Sequence, residues 1–320
     1  MEVGVDVREQ VRRLFLERGL TRVGFTTAEP VEDRVTPWVA QGRHAGMTWL
    51  ERSPDERADP ARRLDGARTV ICAAAAYPAT DSRGAIAGYA RGEDYHRTLT
   101  DALQDVAQHM QDILPGIATR VCVDTAPLLE RELAARAGLG WVGRNTMLLD
   151  ETHGPWVMLG EVLTDAVFPP DAPGIDRCGT CTACVEACPT RAIDDLRGLD
   201  ARRCLSYWTI EHRGDVPAEW AEAAAHRVFG CDDCLTACPF PAQVPEHAAE
   251  PGPDAPFQPR EDLVAPDLDD LEQRARESFR RNFGSTPIER ARKAGFLRNI
   301  SHARAHARAV IDRAAKGDSG

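Results

Sequence analysis

The chain has 320 residues, 43% of them hydrophobic, with ten cysteines and a formal net charge of −11 at pH 7. That is long and apolar enough to bury a sizeable core, in two or three domains. The start, MEVGVDVREQVRRLFLERG, is charged and lacks an apolar signal core, no later run reaches the length of a membrane span, and no apolar stretch follows Arg12-Arg13. Secretory, membrane-anchored and Tat-exported classes are therefore not expected. The expectation is a soluble, cytosolic protein, in which ten cysteines serve as ligands or catalytic groups rather than disulfides.

In chain order, Val7, Val11, Leu14 and Phe15 recur at helical spacing, with Gly19 placed to end that helix. TRVGFTT and TVICAAAAY read as strands. Leu99, Leu103, Val106, Met110 and Ile113 mark a long amphipathic helix from Tyr95, entered through the polar loop YARGEDYH. In that loop Asp94 or Glu93 is placed to cap the helix. TRVCVDT is a further strand, PLLERELAARAG a helix with Pro127 at its start, and MLLD and WVMLGEVLTD two more strands. Alternating strands and helices predict an α/β layer over residues 1–165. Cys72 and Cys122 fall in its apolar runs and read as small core residues.

Two further stretches of this layer invite chemistry. Asp124 ends the strand TRVCVDT, where open α/β sheets gather their ligands, yet an Asp ahead of a helix is also a routine cap. In AGLGWVGRNTMLL, Gly138, Gly140 and Gly143 permit close backbone approach to a large ligand. They follow a helix rather than join strand to helix, so this is no dinucleotide fingerprint, and glycine-rich turns are often only turns.

FPPDAPG marks a linker into a cysteine-rich region, residues 166–245, which holds eight of the ten cysteines. Cys178, Cys181, Cys184 and Cys188 follow the C-x2-C-x2-C-x3-C-P spacing of bacterial iron–sulfur ferredoxins. GCDDCLTACPF adds Cys231, Cys234 and Cys238, and Cys204 lies between the two groups. In such loops three thiols wrap one cluster and the fourth, before the proline, points to its neighbour. One 4Fe–4S cluster is thus assigned to Cys178, Cys181, Cys184 and Cys238, and a second to Cys188, Cys204, Cys231 and Cys234. Zinc favours paired C-x2-C knuckles and fits the run poorly.

EHAAEPGPDAPFQP leads out of that region into residues 246–320. From Arg274 to Lys316 twelve Lys or Arg face only Glu277, Glu289 and Asp312. A basic, partly helical tail of this kind can grip phosphates while the body stays acidic, with Arg290, Arg292, Lys293 and Arg298 as candidates; the alternative is a solvated helix surface.

AGMTWL, RADPARRLDGARTVI, YARGEDYH, DTAPLLERELAARAGLGWVGRNT, the eight cysteines and ARRCLSYWTIEHRG occur in this order, and in series they resemble the epoxyqueuosine reductases from about Val7 to Phe240. That resemblance implies an oxidoreductase that reduces epoxyqueuosine to queuosine at the wobble position of tRNA, the last step of queuosine biosynthesis. It implies an α/β (α+β) fold: a nitroreductase-like cobalamin domain, a ferredoxin-like domain with two 4Fe–4S clusters, and a helical C-terminal segment, short here beside the family's helical repeats. The cobalamin is implied to be base-off, in keeping with the absence of the Asp-x-His-x-x-Gly signature.

The implied proton donor is Asp124, which would also touch cobalamin, together with Gly143, Arg144, Asn145, His153 and Ser206. Arg91, Asp94 and Tyr95 would meet the nucleoside. The implied partners are epoxyqueuosine tRNA and an external electron donor of flavodoxin or ferredoxin type, with no membrane and a monomeric enzyme. Two other readings stay open at this point: a reductive dehalogenase, and an electron-transfer adaptor using only its ferredoxin domain.

Overall fold

The computed structural model describes residues 1–79, 84–194, 197–240 and 257–315, with side chains through residue 312. Most of the Pro-rich exit from the cysteine region, and the boundary at 245/246, lie outside the described residues.

Strand β2 (Thr69–Ala76) is buried at every position and forms the middle of a four-stranded sheet. β1 (Arg22–Thr27) flanks it on one side and β6 (Val157–Thr164) on the other, and β3 (Thr119–Cys122) closes the far edge. Every pairing is antiparallel. The expected α/β layer is therefore of the α+β kind, and the rule for ligands at carboxyl ends of parallel strands does not account for the place of Asp124.

Side chains of β2 alternate between two cores, as a pleated strand requires. Ile71, Ala73 and Ala75 pack with Val11 and Phe15 of helix α1 (Val5–Leu16) and, past the short α2 (Val35–Ala40) in the chain, with Leu99, Leu103 and Met110 of α3 (Tyr95–Ile113). Val70, Cys72, Ala74 and Ala76 pack with Leu133 and Ala134 of α4 (Glu130–Arg136). Cys72 and Cys122 are buried free thiols in this second core. The run of alanines lets α4 approach closely, and Gly24 takes this furthest: a Cβ there would stand 2.0 Å from Ala137 O.

Helix α3 runs over the predicted residues, and Asp94, not Glu93, caps it by accepting the His96 N–H at 3.1 Å. Helix α4 begins at Glu130 rather than Pro127, because Thr125 to Leu129 first make a tight turn. The glycine-rich stretch holds a hairpin, β4 (Gly140–Val142) with β5 (Leu148–Asp150).

The linker is tied down. Asp171 accepts from the Phe25 N–H at 2.9 Å and from Arg8 and Arg12 of α1. Short helices α5 (Ala183–Ala187), α6 (Ala218–Ala224) and α7 (Asp233–Thr236), with a π-helical turn at Tyr207–Glu211, make the cysteine region.

The C-terminal segment carries α8 (Glu261–Val264), α9 (Leu268–Phe283) and α10 (Arg292–Ala315). Its Leu271, Phe283, Phe296 and Ile300 share one core with Ile86 and Ala90 of the YARGEDYH approach and with Ile210 and Phe229 of the cysteine region. Asn299 fastens it, donating to Thr209 O and Val228 O at 2.8 Å each.

Overpacking a well-filled contact costs about 1–3 kcal/mol. Gly24→Ala is expected to lower unfolding stability by that amount in urea, while Gly4→Ala, with nothing within 4 Å of the added carbon, leaves it unchanged.

Candidate active site

The capped start of α3 and the end of β3 meet at one carboxylate. Tyr95 OH donates to Asp124 Oδ2 at 2.9 Å, and His96 Nε2 lies 2.9 Å from the same oxygen. On its other side His96 Nδ1 stands 2.7 Å from Asp94 Oδ1, so the imidazole bridges two carboxylates. Asp124 itself has φ +46°, a left-handed conformation that a non-glycine residue holds at a cost of order 1–3 kcal/mol. Its N–H is fixed by Glu130 Oε1 at 2.6 Å, and its side chain remains half-exposed.

Burial by itself would raise the Asp124 carboxyl; the bonds from His96 and Tyr95 and the nearby Arg131 outweigh it and hold the group below its ordinary range. Burial by itself would lower His96, but bonds to Asp124 and Asp94 raise it to about 9. At neutral pH the pair thus keeps one proton, resident on the imidazole and one hydrogen bond from Asp124. The YARGEDYH loop was singled out in sequence, yet His96 was passed over; its one signal is its place beside Tyr95 in the first helical turn.

Other expected contacts divide. Asp94 and Tyr95 belong to this network. Arg91 is buried, and its Nε donates to Ile86 O at 2.8 Å, bracing the loop from within. Arg57, at the start of RADPARRLDGARTVI, feels the charge of Asp124, and its buried Nε has no hydrogen-bond partner among the described residues. Arg290 from the C-terminal segment also feels Asp124 and Tyr95; it grips Glu211 with bonds of 2.8 to 3.0 Å and lies over the exposed Trp49 ring.

The cysteine sets lie beyond. Cys178, Cys181, Cys184 and Cys238 line one pocket with Arg144, Asn145 and Phe240. The thiols of Cys188, Cys204 and Cys231 act together on Cys234. Trp141 Nε1 donates to Cys178 Sγ at 3.3 Å and the Ala192 N–H to Cys188 Sγ at 3.2 Å. Burial pushes the Cys231 thiol up to about 12 and, with its sulfur neighbours, Cys238 to about 11. Thiols gathered in this way, with N–H groups aimed at Cys178 and Cys188 sulfur, suit iron–sulfur chemistry, whose cations replace thiol protons on binding.

The expected cobalamin contacts are less uniform. Asn145 is buried between the cysteine sets, its Nδ2 donating to Cys234 O at 3.3 Å. Ser206 faces the Cys204 thiol. Gly143 makes its close approach to the protein itself, since a Cβ there would meet Leu149 Cδ1 at 2.6 Å. Arg144 sits over the first cysteine set, donating to Gly179 O at 3.1 Å. His153 is buried against Asp150 at 2.9 Å, within the turn that closes β5. The Nε of Arg57, buried near the charge of Asp124 and without a hydrogen-bond partner among the described residues, is a donor that suits an amide-rich ligand.

The tail cations also divide. Arg298 donates to the carbonyls of Trp208, His212 and Gly214, and Lys293 to Arg276 O at 2.9 Å. Together with Arg290 on Glu211, these charges hold the fold. Arg280, Arg281 and Arg292 are exposed.

Known proteins match both halves of this arrangement. A family model described as epoxyqueuosine reductase QueG, DUF1730, matches residues 57–125, and a 4Fe–4S double cluster binding domain matches 177–241. An epoxyqueuosine reductase of Xanthomonas campestris is 37% identical over 92% of this chain and 86% of its own length; one from Escherichia coli K12 is 35% identical over 92% and 80%. A crystal structure of epoxyqueuosine reductase with an epoxyqueuosine-modified tRNA-Tyr stem loop superposes with TM-score 0.85 at 29% identity, covering 94% of this chain and 81% of that one. A Bacillus subtilis epoxyqueuosine reductase, described with its catalytic loop swung out of the active site, gives 0.82 at 28% identity over 94% and 82%. Among the described residues no helix is long and apolar enough to cross a membrane.

The raised His96 is expected to titrate near 9 in the folded protein by NMR, against its ordinary 6.5. Its bonds therefore stabilise the fold fully below about 6.5, and that contribution is lost as pH rises through about 9. His96→Gln should remove this part of the pH dependence; a His96 resonance titrating near its ordinary value contradicts the bridge.

Proposed function

The chain belongs to the epoxyqueuosine reductase family of oxidoreductases and carries an iron–sulfur-binding domain; on that premise we propose that it reduces epoxyqueuosine to queuosine at the tRNA wobble position, with two 4Fe–4S clusters and base-off cobalamin. The observation that carries the reading is the bridge of Tyr95, His96 and Asp94 on Asp124, in a loop whose Gly88 N–H donates to Asp232 beside Cys231. An adaptor working only through its cysteine region would have no use for it.

When bound, the clusters and cobalamin supply low-potential electrons, passed on singly and delivered to the epoxide as a pair. Conversion of an epoxide to an alkene takes two electrons and two protons and releases one water. Both protons end on the same oxygen. Asp124 passes on the first, taken from His96 as the ring opens, so no free alkoxide forms. His96 holds that proton at rest and, being partly exposed, takes a replacement from solvent. Tyr95 fixes the Asp124 carboxylate toward the substrate, and Asp94 keeps the imidazole charged.

Asp124, Arg57, Asn145 and Ser206 would hold cobalamin, and the Arg144 turn and the His153 hairpin would brace the protein around it. Arg280, Arg281 and Arg292 supply phosphate contacts, and the Trp49 ring offers a face for a base. The pocket at Cys178, Cys181, Cys184 and Cys238 is where an external donor of flavodoxin or ferredoxin type delivers electrons. The enzyme works as a cytoplasmic monomer.

Asp124→Asn keeps the shape of the side chain but loses the acid. It should retain both clusters and cobalamin while conversion of epoxyqueuosine tRNA, read by nucleoside mass spectrometry, slows about a hundredfold or more. Near-normal conversion reduces Asp124 to a turn residue. Anaerobically reconstituted protein is expected to hold about eight irons, as two cubanes require. Cys238→Ser should damage the cluster of Cys178, Cys181 and Cys184; paramagnetic resonance showing only the other cluster lost overturns that pairing.

A further inference from the structure

Glu161 lies in the middle of the sheet, on β6 between β2 and β3. Its register partners are Cys72 on one side and Cys122 on the other, both buried thiols. The residue is 0% exposed, neither carboxyl oxygen receives a hydrogen bond from an N–H or hydroxyl group among the described residues, and the group within hydrogen-bonding reach is the Glu130 carboxyl. Helix α4 covers it, bringing Glu130 and Arg136. Arg136 is spent on Thr26, Thr27, Glu29 and Pro30 oxygens, so no cation neutralises Glu161 among the described residues. The charged group that acts on it most strongly is Glu130, with Asp124 behind it. Glu130 in turn feels Asp124, Arg131 and His96.

An isolated carboxylate in such a place costs several kcal/mol, and two adjacent carboxyls do not both ionise. Glu161 therefore holds a proton facing Glu130. The outer end of the arrangement is the bond from the Asp124 N–H to Glu130 Oε1 at 2.6 Å, which pins a residue at φ +46°.

We infer that Glu130, half-buried, and Glu161, fully buried, form a proton-sharing carboxyl pair that positions Asp124, with Glu130 as the positioning residue and Glu161 as its neutral backing. While the pair keeps its proton, Glu130 presents an acceptor to the strained Asp124 backbone and the acid stays in place. Once the pair ionises beside Asp124, three carboxylates crowd one turn and the loop is released. The raised Glu130, at about 8, agrees with this. A carboxyl raised above its ordinary 4.5 stabilises the fold most below that value, and the contribution fades as pH climbs through about 8.

The inference rests on Asp124 acting as the acid, but two readouts need no substrate. Infrared spectra of the whole protein at neutral pH should show the carbonyl band of a buried, protonated carboxylic acid, absent from Glu161→Gln. Glu161→Gln should also raise the urea midpoint at pH 8, by an amount that shrinks toward pH 4. Amide exchange at Asp124 should be protected in the wild type, lost in Glu130→Ala and restored in Glu130→Gln, which keeps the acceptor.

With tRNA substrate, Glu130→Ala should lose about a hundredfold in kcat with KM little changed, the scale of a catalytic group misplaced by an ångström. Glu130→Gln should recover most of that loss. An infrared band unchanged in Glu161→Gln, a lower midpoint at pH 8, or Asp124 exchange as fast in Glu130→Gln as in Glu130→Ala overturns the inference. Intact exchange and infrared results with no turnover in the wild type overturn the epoxyqueuosine reading instead.

Discussion

The Asp124 carboxylate is the point at which β3, the first turn of α3 and the first turn of α4 are forced into one geometry. Its oxygen takes bonds from Tyr95 and His96, and its N–H gives one to Glu130. None of these residues is adjacent to it in sequence, so the site exists only when the antiparallel sheet and both helices are in place. Asp94 serves twice, as the cap that starts α3 and as the carboxylate that raises His96. Local helix chemistry and proton storage are thus one feature.

The same dependence runs outward. Ile86 and Ala90, on the approach to that turn, share a core with the C-terminal segment, and the Asp94 N–H donates to Ser285 O at 2.8 Å. The Gly88 N–H donates to Asp232 Oδ2 at 2.7 Å, next to the cysteines of the second set. The acid, the electron-carrying region and the tail are therefore braced against one loop. This explains why several tail arginines are spent on internal carbonyls rather than left for phosphate.

Short-range patterns were legible in the sequence. The cysteine spacing, the span of α3 and the cap at Asp94 each follow from residues within one or two turns of each other. Asp124 was legible as an acid-or-cap alternative, and the structure places it at the centre of the network. His96 was not chosen because its value comes from Asp124, 28 residues away. Glu130 and Glu161 carried no signal, since a glutamate inside WVMLGEVLTD is conspicuous only once its cross-strand neighbours are known to be buried thiols. Arg298 misled for the opposite reason. An arginine in a basic tail looks available to a ligand, whereas the distant carbonyls of Trp208, His212 and Gly214 claim it.

One proton shared between Asp124 and His96 is the central claim, and the pH dependence of kcat/KM on epoxyqueuosine tRNA tests it most directly, because that ratio reports the ionisations of the free enzyme. The wild type is expected to lose activity above about 9, where His96 gives up the proton, and His96→Gln is expected to lose it at distinctly lower pH. The same alkaline limb in both proteins would contradict the account.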